Sequence, residues 1–163
     1  CLMTLCILSD THNNERAVAV AVRKIHALEP ERVIHCGDIV APKMLNYFRG
    51  LPITFVLGNC DSRASLNNAA AALDFPSVDS SFEFTLSGKS FFVTHGNNYS
   101  LIDRVIASQG FDYLLHGHTH LMADEQIERT RIICPGALYG VERCSFAHLD
   151  VVKNDLEFVE FDA

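Results

Sequence analysis

No apolar run in this chain approaches the ~20 residues that a membrane-spanning helix needs. No signal-peptide pattern is read at the N-terminus, so a cytoplasmic setting is expected. The six cysteines (Cys1, Cys6, Cys36, Cys60, Cys134, Cys144) form no C-x-x-C and have no disulfide-scaffold spacing. Most sit inside apolar runs and read as buried free thiols in a reducing compartment. There is no block of Lys or Arg, and the net charge is −7. That balance argues against binding the phosphate backbone of a nucleic acid. No linker and no repeat interrupts the sequence. Its 163 residues suit a single domain, 1–163, with a core large enough to need no staples. Apolar residues at 48% and charged residues at 20% make an ordinary globular balance.

What is present is a repeated pattern: an apolar run of strand length that stops abruptly at polar, metal-competent side chains. Leu2 to Leu8 stops at Ser9-Asp10-Thr11-His12. Arg32 to Cys36 stops at Gly37-Asp38, and Ile53 to Leu57 at Gly58-Asn59-Cys60-Asp61. Ser90 to Thr94 runs into His95-Gly96-Asn97-Asn98. Phe111 to Leu115 ends in His116-Gly117-His118-Thr119-His120, three imidazoles within five residues. Strands apolar on both faces suit a sheet covered on both sides.

Helices are predicted between these strands. Glu15 to Leu28 is stopped by Pro30, with Asn14 at least as good an N-cap as Asp10. Pro42 opens a short helix closed by Gly50. Ser62 to Leu73 carries an alanine run and is capped by Asp61 or Ser62. Ser100-x-x-Asp103 reads as a capping box for a helix ending at Gly110. Hairpins are expected around Ser87-Gly88-Lys89, between Glu125–Glu128 and Thr130–Cys134, and around Lys153-Asn154-Asp155. The order is βαβαβ first and mostly strands after. His35 reads as a hydrogen-bonded core histidine, and His26 as solvated.

Collected, the strand-end residues Asp10, His12, Asp38, Asn59, His95, His118 and His120 are two carboxylates, one amide and four imidazoles. That is more than one ion needs and suits two. Oxygen with imidazole suits manganese, iron, nickel or zinc better than magnesium or copper(I). No cysteine is required as a ligand.

The ordered motifs D-x-H, G-D, G-N-x-D, H-G and G-H-T-H resemble the calcineurin-like metallophosphoesterases. The short length, Gly58-Asn59-Cys60-Asp61 and Ile133-Cys134-Pro135-Gly136 are similar to the small YfcE-type phosphodiesterase branch. The resemblance covers essentially the whole chain. It implies an α/β fold, a four-layer α-β-β-α sandwich of two mixed sheets flanked by helices, with the site at the strand C-terminal ends. It implies that Asp10, His12 and His120 hold one divalent ion, that Asn59, His95 and His118 hold a second, and that Asp38 bridges them. Manganese leads, with nickel, zinc or iron as alternatives. The activity implied is hydrolysis of a small phosphodiester by in-line attack of a bridging hydroxide, with Asp38, Asn59 and His95 closest to the chemistry.

Two positions depart from the wider superfamily. Cys60 stands where many relatives have a histidine that can protonate the leaving oxygen; it is expected to pack the pocket floor. Asn97 stands where relatives often carry another His, which bears on substrate handling. Arg63 and Asn98 are candidates for the pocket mouth, and Tyr99 for its rim. His116 either orients a ligand or packs. The competing functions are a phosphomonoesterase, a nuclease, or a metal-binding interaction scaffold of the same fold, as in the retromer subunit. Self-association is left open.

Overall fold

The computed structural model describes residues 3–163. The predicted strand start at Leu2, like Cys1, lies outside the described residues. Ten strands form two five-stranded sheets, and three α-helices cover their outer faces.

The first sheet is built on β1 (Thr4–Leu8), with β2 (Arg32–His35) and β3 (Ile53–Phe55) parallel to it on one side. On the other side lies β9 (Cys144–Asp150), antiparallel to β1, and beyond it β10 (Asp155–Phe161), antiparallel to β9. The second sheet runs in the order β4 (Ser81–Leu86), β5 (Lys89–Thr94), β6 (Tyr113–Leu115), β8 (Thr130–Pro135) and β7 (Met122–Ile127). In it β5, β6 and β8 are parallel and the two edge strands antiparallel.

Strand periodicity makes the layers. Successive side chains of β1 point to opposite faces. Cys6 and Leu8 pack against α1 (Glu15–Leu28), where Ala17, Val18, Ala21 and Ile25 form the buried stripe. Leu5 and Ile7 pack between the sheets against Phe91, Val93, Leu115 and Ile133. On the far side, Phe92, Leu114 and Ile132 meet Val105 of α3 (Tyr99–Ser108). Four layers follow from three apolar seams, as the resemblance implies.

Local signals explain most boundaries. The Asn14 side chain accepts from the Ala17 amide and starts α1, while Ser62 accepts from Ser65 and starts α2 (Arg63–Ala72). Pro42–Phe48 is a 3-10 helix. The expected capping box at Ser100 is corrected: the N-cap of α3 is Asn98, whose side chain accepts the Leu101 amide at 3.1 Å. Ser100 sits inside the first turn and accepts from Arg104 instead. Asn is as good a cap as Ser and stands two residues earlier, so it takes the role. The strand expected from Glu125 starts earlier, at Met122, paired with Pro135. His26 is exposed, and His35 is fully buried with its Nδ1 accepting the Gly37 amide.

Candidate metal centre

Five strands end at the seam between the sheets in polar loops. Residues 9–12 follow β1, 37–38 follow β2, 58–61 follow β3, 95–98 follow β5 and 116–120 follow β6. The backbone of these loops is unusual. Asp10 (φ 54°), His12 (39°), Asp38 (58°), His118 (70°) and His120 (60°) all adopt the left-handed conformation. For residues with a Cβ this costs about 1–2 kcal/mol each. The loops hold one another in it: Asp10 N donates to Gly37 O (2.9 Å), His12 N to Asp38 O (3.1 Å) and Gly117 N to His95 O (2.8 Å).

A second carboxylate fixes the centre from behind. Asp61 accepts the amides of Asp38 (2.9 Å) and Gly58 (2.8 Å) on Oδ2, and those of Ile39 (2.9 Å) and Val40 (2.7 Å) on Oδ1. Sequence reading offered Asp61 only as a helix cap; its place behind Asp38 rests on a contact 23 residues away in the chain. Two glycines are required by closeness. A Cβ on Gly58 would land on Asp38 Oδ1, and one on Gly117 on Ser9 Oγ.

The side chains converge in two overlapping groups. Asp10 Oδ1 lies 3.3 Å from His120 Nε2 and 3.9 Å from His12 Nε2. Asp38 Oδ2 lies 3.3 Å from His12 Nε2 and 3.5 Å from His95 Nε2. His95 Nε2 is also 3.0 Å from Asn59 Oδ1. Asp10, His12 and His120 offer ligand atoms all within 4.8 Å of one another, and so do Asp10, Asp38 and His95. His118 stands apart from these groups: its amide donates to Asp10 Oδ2 (3.0 Å), and its ring packs edge-on to His95, centroids 5.1 Å apart.

These residues fit divalent cations, and the donor chemistry shows it. His95 Nδ1 lies 2.7 Å from the Cys36 carbonyl, which can only accept, so that nitrogen carries the proton. With His95 neutral, its Nε2 lone pair faces the carbonyl oxygen of Asn59, two acceptors that a proton or a cation must reconcile. Asp10 Oδ1 and His12 Nε2 are buried with no hydrogen-bond partner; such groups are costly unless an ion or water satisfies them. The protonation equilibria agree. Burial alone would raise the Asp38 carboxyl, but hydrogen bonds from His95 and the Cys60 amide hold it well below the usual carboxylate range. Burial alone would lower His95, but its bonds to Asp38 and the Cys36 carbonyl push it up. Without an ion, a proton on His95 Nε2 pairs with the ionised Asp38, and a divalent cation would take that proton's place.

A family description for the calcineurin-like phosphoesterase superfamily domain matches residues 3–154. The chain belongs to the calcineurin-like phosphoesterase superfamily. It is 29% identical over 148 residues to phosphodiesterase MJ0936 of Methanocaldococcus jannaschii, covering 85% of this chain and 86% of that protein. A solved structure of an archaeal phosphodiesterase superposes with a TM-score of 0.88 at 27% identity, covering 98% of this chain and 100% of that one. The phosphoesterase YfcE from E. coli superposes with a TM-score of 0.72 at 20% identity, covering 98% and 100%, a likeness of fold.

Within the calcineurin-like phosphoesterase frame, one expectation is corrected. Cys60 does not pack the pocket floor; it is the exposed cysteine of the described residues, the others being buried. Its amide donates to Asp38 Oδ1 at 2.9 Å, which turns the residue toward the mouth. Its sulfur lies within 4.8 Å of ligand atoms of His12 and Asp38. Burial and the Asp38 carboxylate push its thiol up, away from the range of a useful acid. Arg63 is at the pocket mouth, tied to Asp79 (2.5 Å) and Ser80 (2.9 Å). Tyr99 is exposed on the rim, its ring 6.4 Å from His118. His116 packs beneath the centre, and burial lowers its ring below the usual histidine range. Tyr139 was not singled out in the sequence. It follows the Pro135-Gly136 turn and lays its ring against His12, centroids 5.1 Å apart, on a loop tied down by Asn14 Nδ2 to Leu138 O (2.7 Å).

Proposed function

We propose that the chain is a metal-dependent phosphodiesterase acting on a small phosphodiester, with Asp10, His12 and His120 holding one divalent ion, Asn59, His95 and His118 a second, and Asp38 reaching both. The observation that carries this reading is the pair of buried polar atoms without hydrogen-bond partners, Asp10 Oδ1 and His12 Nε2, at the point where Asp38, His95 and His120 converge. When bound, such ions supply Lewis acidity toward the phosphoryl oxygens and activate water near neutral pH. Manganese is the first ion to try, with nickel, zinc and iron next.

The chain's own residues prepare that chemistry. The Cys36 carbonyl fixes the His95 tautomer so that Nε2 faces the centre. Asp61 holds the Asp38 loop, and the His118 amide orients the Asp10 carboxylate. In the hydrolysis, water oxygen forms a new bond to phosphorus, the bond to the leaving alcohol breaks, and that alcohol takes a proton. No Ser/His nucleophile is needed, and the cysteine nearest the centre is held as the thiol.

The test uses protein stripped with chelator and reloaded with manganese, nickel, zinc or magnesium in turn, assayed on an aryl phosphodiester and its matching monoester. Diester cleavage restored by metal and lost in Asp38→Asn supports the reading. Faster monoester cleavage makes the protein a phosphomonoesterase. Tight binding of metal without turnover makes it an interaction scaffold.

A further inference from the structure

Beside the metal centre the structure opens a cleft of about 380 Å³, lined by Gly58, Arg63, Ser80, Thr94, Asn97 and Asn98 among others. Its volume is at the small end of the ~300–1,000 Å³ usual for ligand sites. Its wall meets the centre at Gly58, which lies against Asp38 Oδ1, and Gly58 and Asn97 are close chain neighbours of Asn59 and His95.

The lining is polar but carries no surplus charge. The Arg63 guanidinium is engaged by Asp79 at 2.5 Å and by Ser80 Oγ at 2.9 Å. The Asp61 carboxylate at the back is engaged by four backbone amides. What remains on offer is neutral. Asn97 is exposed, and its amide has no hydrogen-bond partner among the described residues. Asn98 accepts the Leu101 amide with its oxygen, leaving its Nδ2 hydrogens to point elsewhere. The hydroxyls add half their capacity: Ser80 Oγ accepts from Arg63 and can still donate, while Thr94 Oγ1 donates to the Ser80 carbonyl and can still accept. Beside His12 the surface is different in kind: there Tyr139, 51% exposed, lays its ring against the imidazole.

We propose that this cleft is the subsite for the retained arm of the diester, and that the arm is an uncharged, polyhydroxylated group of glycerol or monosaccharide size. Neutral donors and acceptors at the wall match hydroxyls, which both donate and accept. A second phosphate on the arm has no free cation to meet, and a flat aryl arm would cover amides and hydroxyls it cannot bond. The apolar arm, which leaves as the alcohol, lies toward Tyr139. Asn97 is therefore a specificity-determining residue. This inference rests on the phosphodiesterase reading.

Two chromogenic diesters with the same leaving group decide it: 4-nitrophenyl glyceryl phosphate and 4-nitrophenyl methyl phosphate, assayed with manganese-loaded protein. The expected result is a kcat/KM at least tenfold higher for the glyceryl ester. In Asn97→Ala the glyceryl-to-methyl ratio should fall about fivefold, through KM. In parallel, the Asn97 side-chain amide is followed by NMR in zinc-loaded protein during titration with glycerol phosphate and with inorganic phosphate. The amide should shift with the former and stay within error with the latter. A ratio near one in the natural protein, or a ratio unchanged in Asn97→Ala, overturns the subsite while leaving the phosphodiesterase reading intact. Absence of all diester turnover overturns that reading instead. The NMR titration then still decides whether the cleft takes a polyol arm, since equal shifts with both ligands, or none with either, reject it.

Discussion

The Asp61 carboxylate sits directly behind that of Asp38: Asp61 Oδ2 accepts the Asp38 amide at 2.9 Å, while the Asp38 carboxylate faces His12 and His95. One acid thus shapes the loop that presents the other. Asp61→Asn replaces one acceptor oxygen with an NH2 group that opposes the amides it meets. Loss of about 2–4 kcal/mol of stability is expected, with metal affinity down by about 10–100-fold. Urea unfolding and calorimetric titration with manganese measure the two. Unchanged affinity would remove Asp61 from the centre's support.

Gly58 has no room for a side chain. Gly58→Ala pushes a methyl group onto Asp38 Oδ1. Either the Asp38 loop or β3 must shift, so a destabilisation of about 3 kcal/mol is expected, along with loss of tight metal binding. The same change at Gly88, where a Cβ meets nothing within 4 Å but φ is +74°, tests strain alone. It should cost about 1 kcal/mol and leave metal binding as it is.

Metal removal should destabilise the protein because it leaves Asp10 Oδ1 and His12 Nε2 buried without partners. At a free ion concentration of about 100 times Kd, binding adds about 2.7 kcal/mol. For a chain of this size that corresponds to a rise in Tm of roughly 5–10 °C. Scanning calorimetry of stripped and reloaded protein gives the number, and no rise with any divalent ion would count against the whole site.

His35 makes stability depend on pH. Burial, reinforced by the nearby His95, lowers its ring to about 3, whereas in the unfolded chain it titrates near 6.5. Between these values the unfolded state binds the extra proton. The contribution is therefore complete above pH ~6.5 and shrinks as pH falls, by up to ~1.4 kcal/mol per unit. In chelator, to set metal aside, unfolding free energy measured from pH 7 to 4 should fall more steeply for the natural protein than for His35→Asn. Parallel slopes would show that His35 is not the group responsible.

Cys60→His places an imidazole at the mouth, beside Asp38 and His12. It should speed hydrolysis of alkyl esters, whose leaving oxygen needs a proton, by about tenfold or more, with little change for aryl esters. Equal rates on alkyl and aryl esters in the natural protein would leave the substitution nothing to correct.

The sequence displayed the site better than its supports. Asp10, His12, Asp38, Asn59, His95, His118 and His120 each follow an apolar run, and the end of a run is where a strand opens its polar loop. Asn14 and Ser62 were legible as caps because capping is local. Asp61 was legible only as a helix start, because its amide partners at Asp38, Ile39 and Val40 come from another crossover. Tyr139 reaches His12 through a loop that follows β8, and nothing in its neighbours announces that contact. Cys60 was misplaced for a similar reason. A free cysteine usually packs inside, but the bond from its amide to Asp38 turns this one outward.

The candidate ligands come from both sheets: Asp10, His12, Asp38 and Asn59 from strands of the first, His95, His118 and His120 from strands of the second. Ions held there would clasp the two halves of the sandwich at one end, adding to the side-chain packing and to the bonds from His95 to Cys36 O and from His118 N to Asp10 that already cross the seam. A loaded protein would then have to release its ions before its sheets part, which would tie its lifetime against protease or heat to how fast ions leave. Ion supply in the cell would thereby govern how long each copy lasts as well as whether it is active.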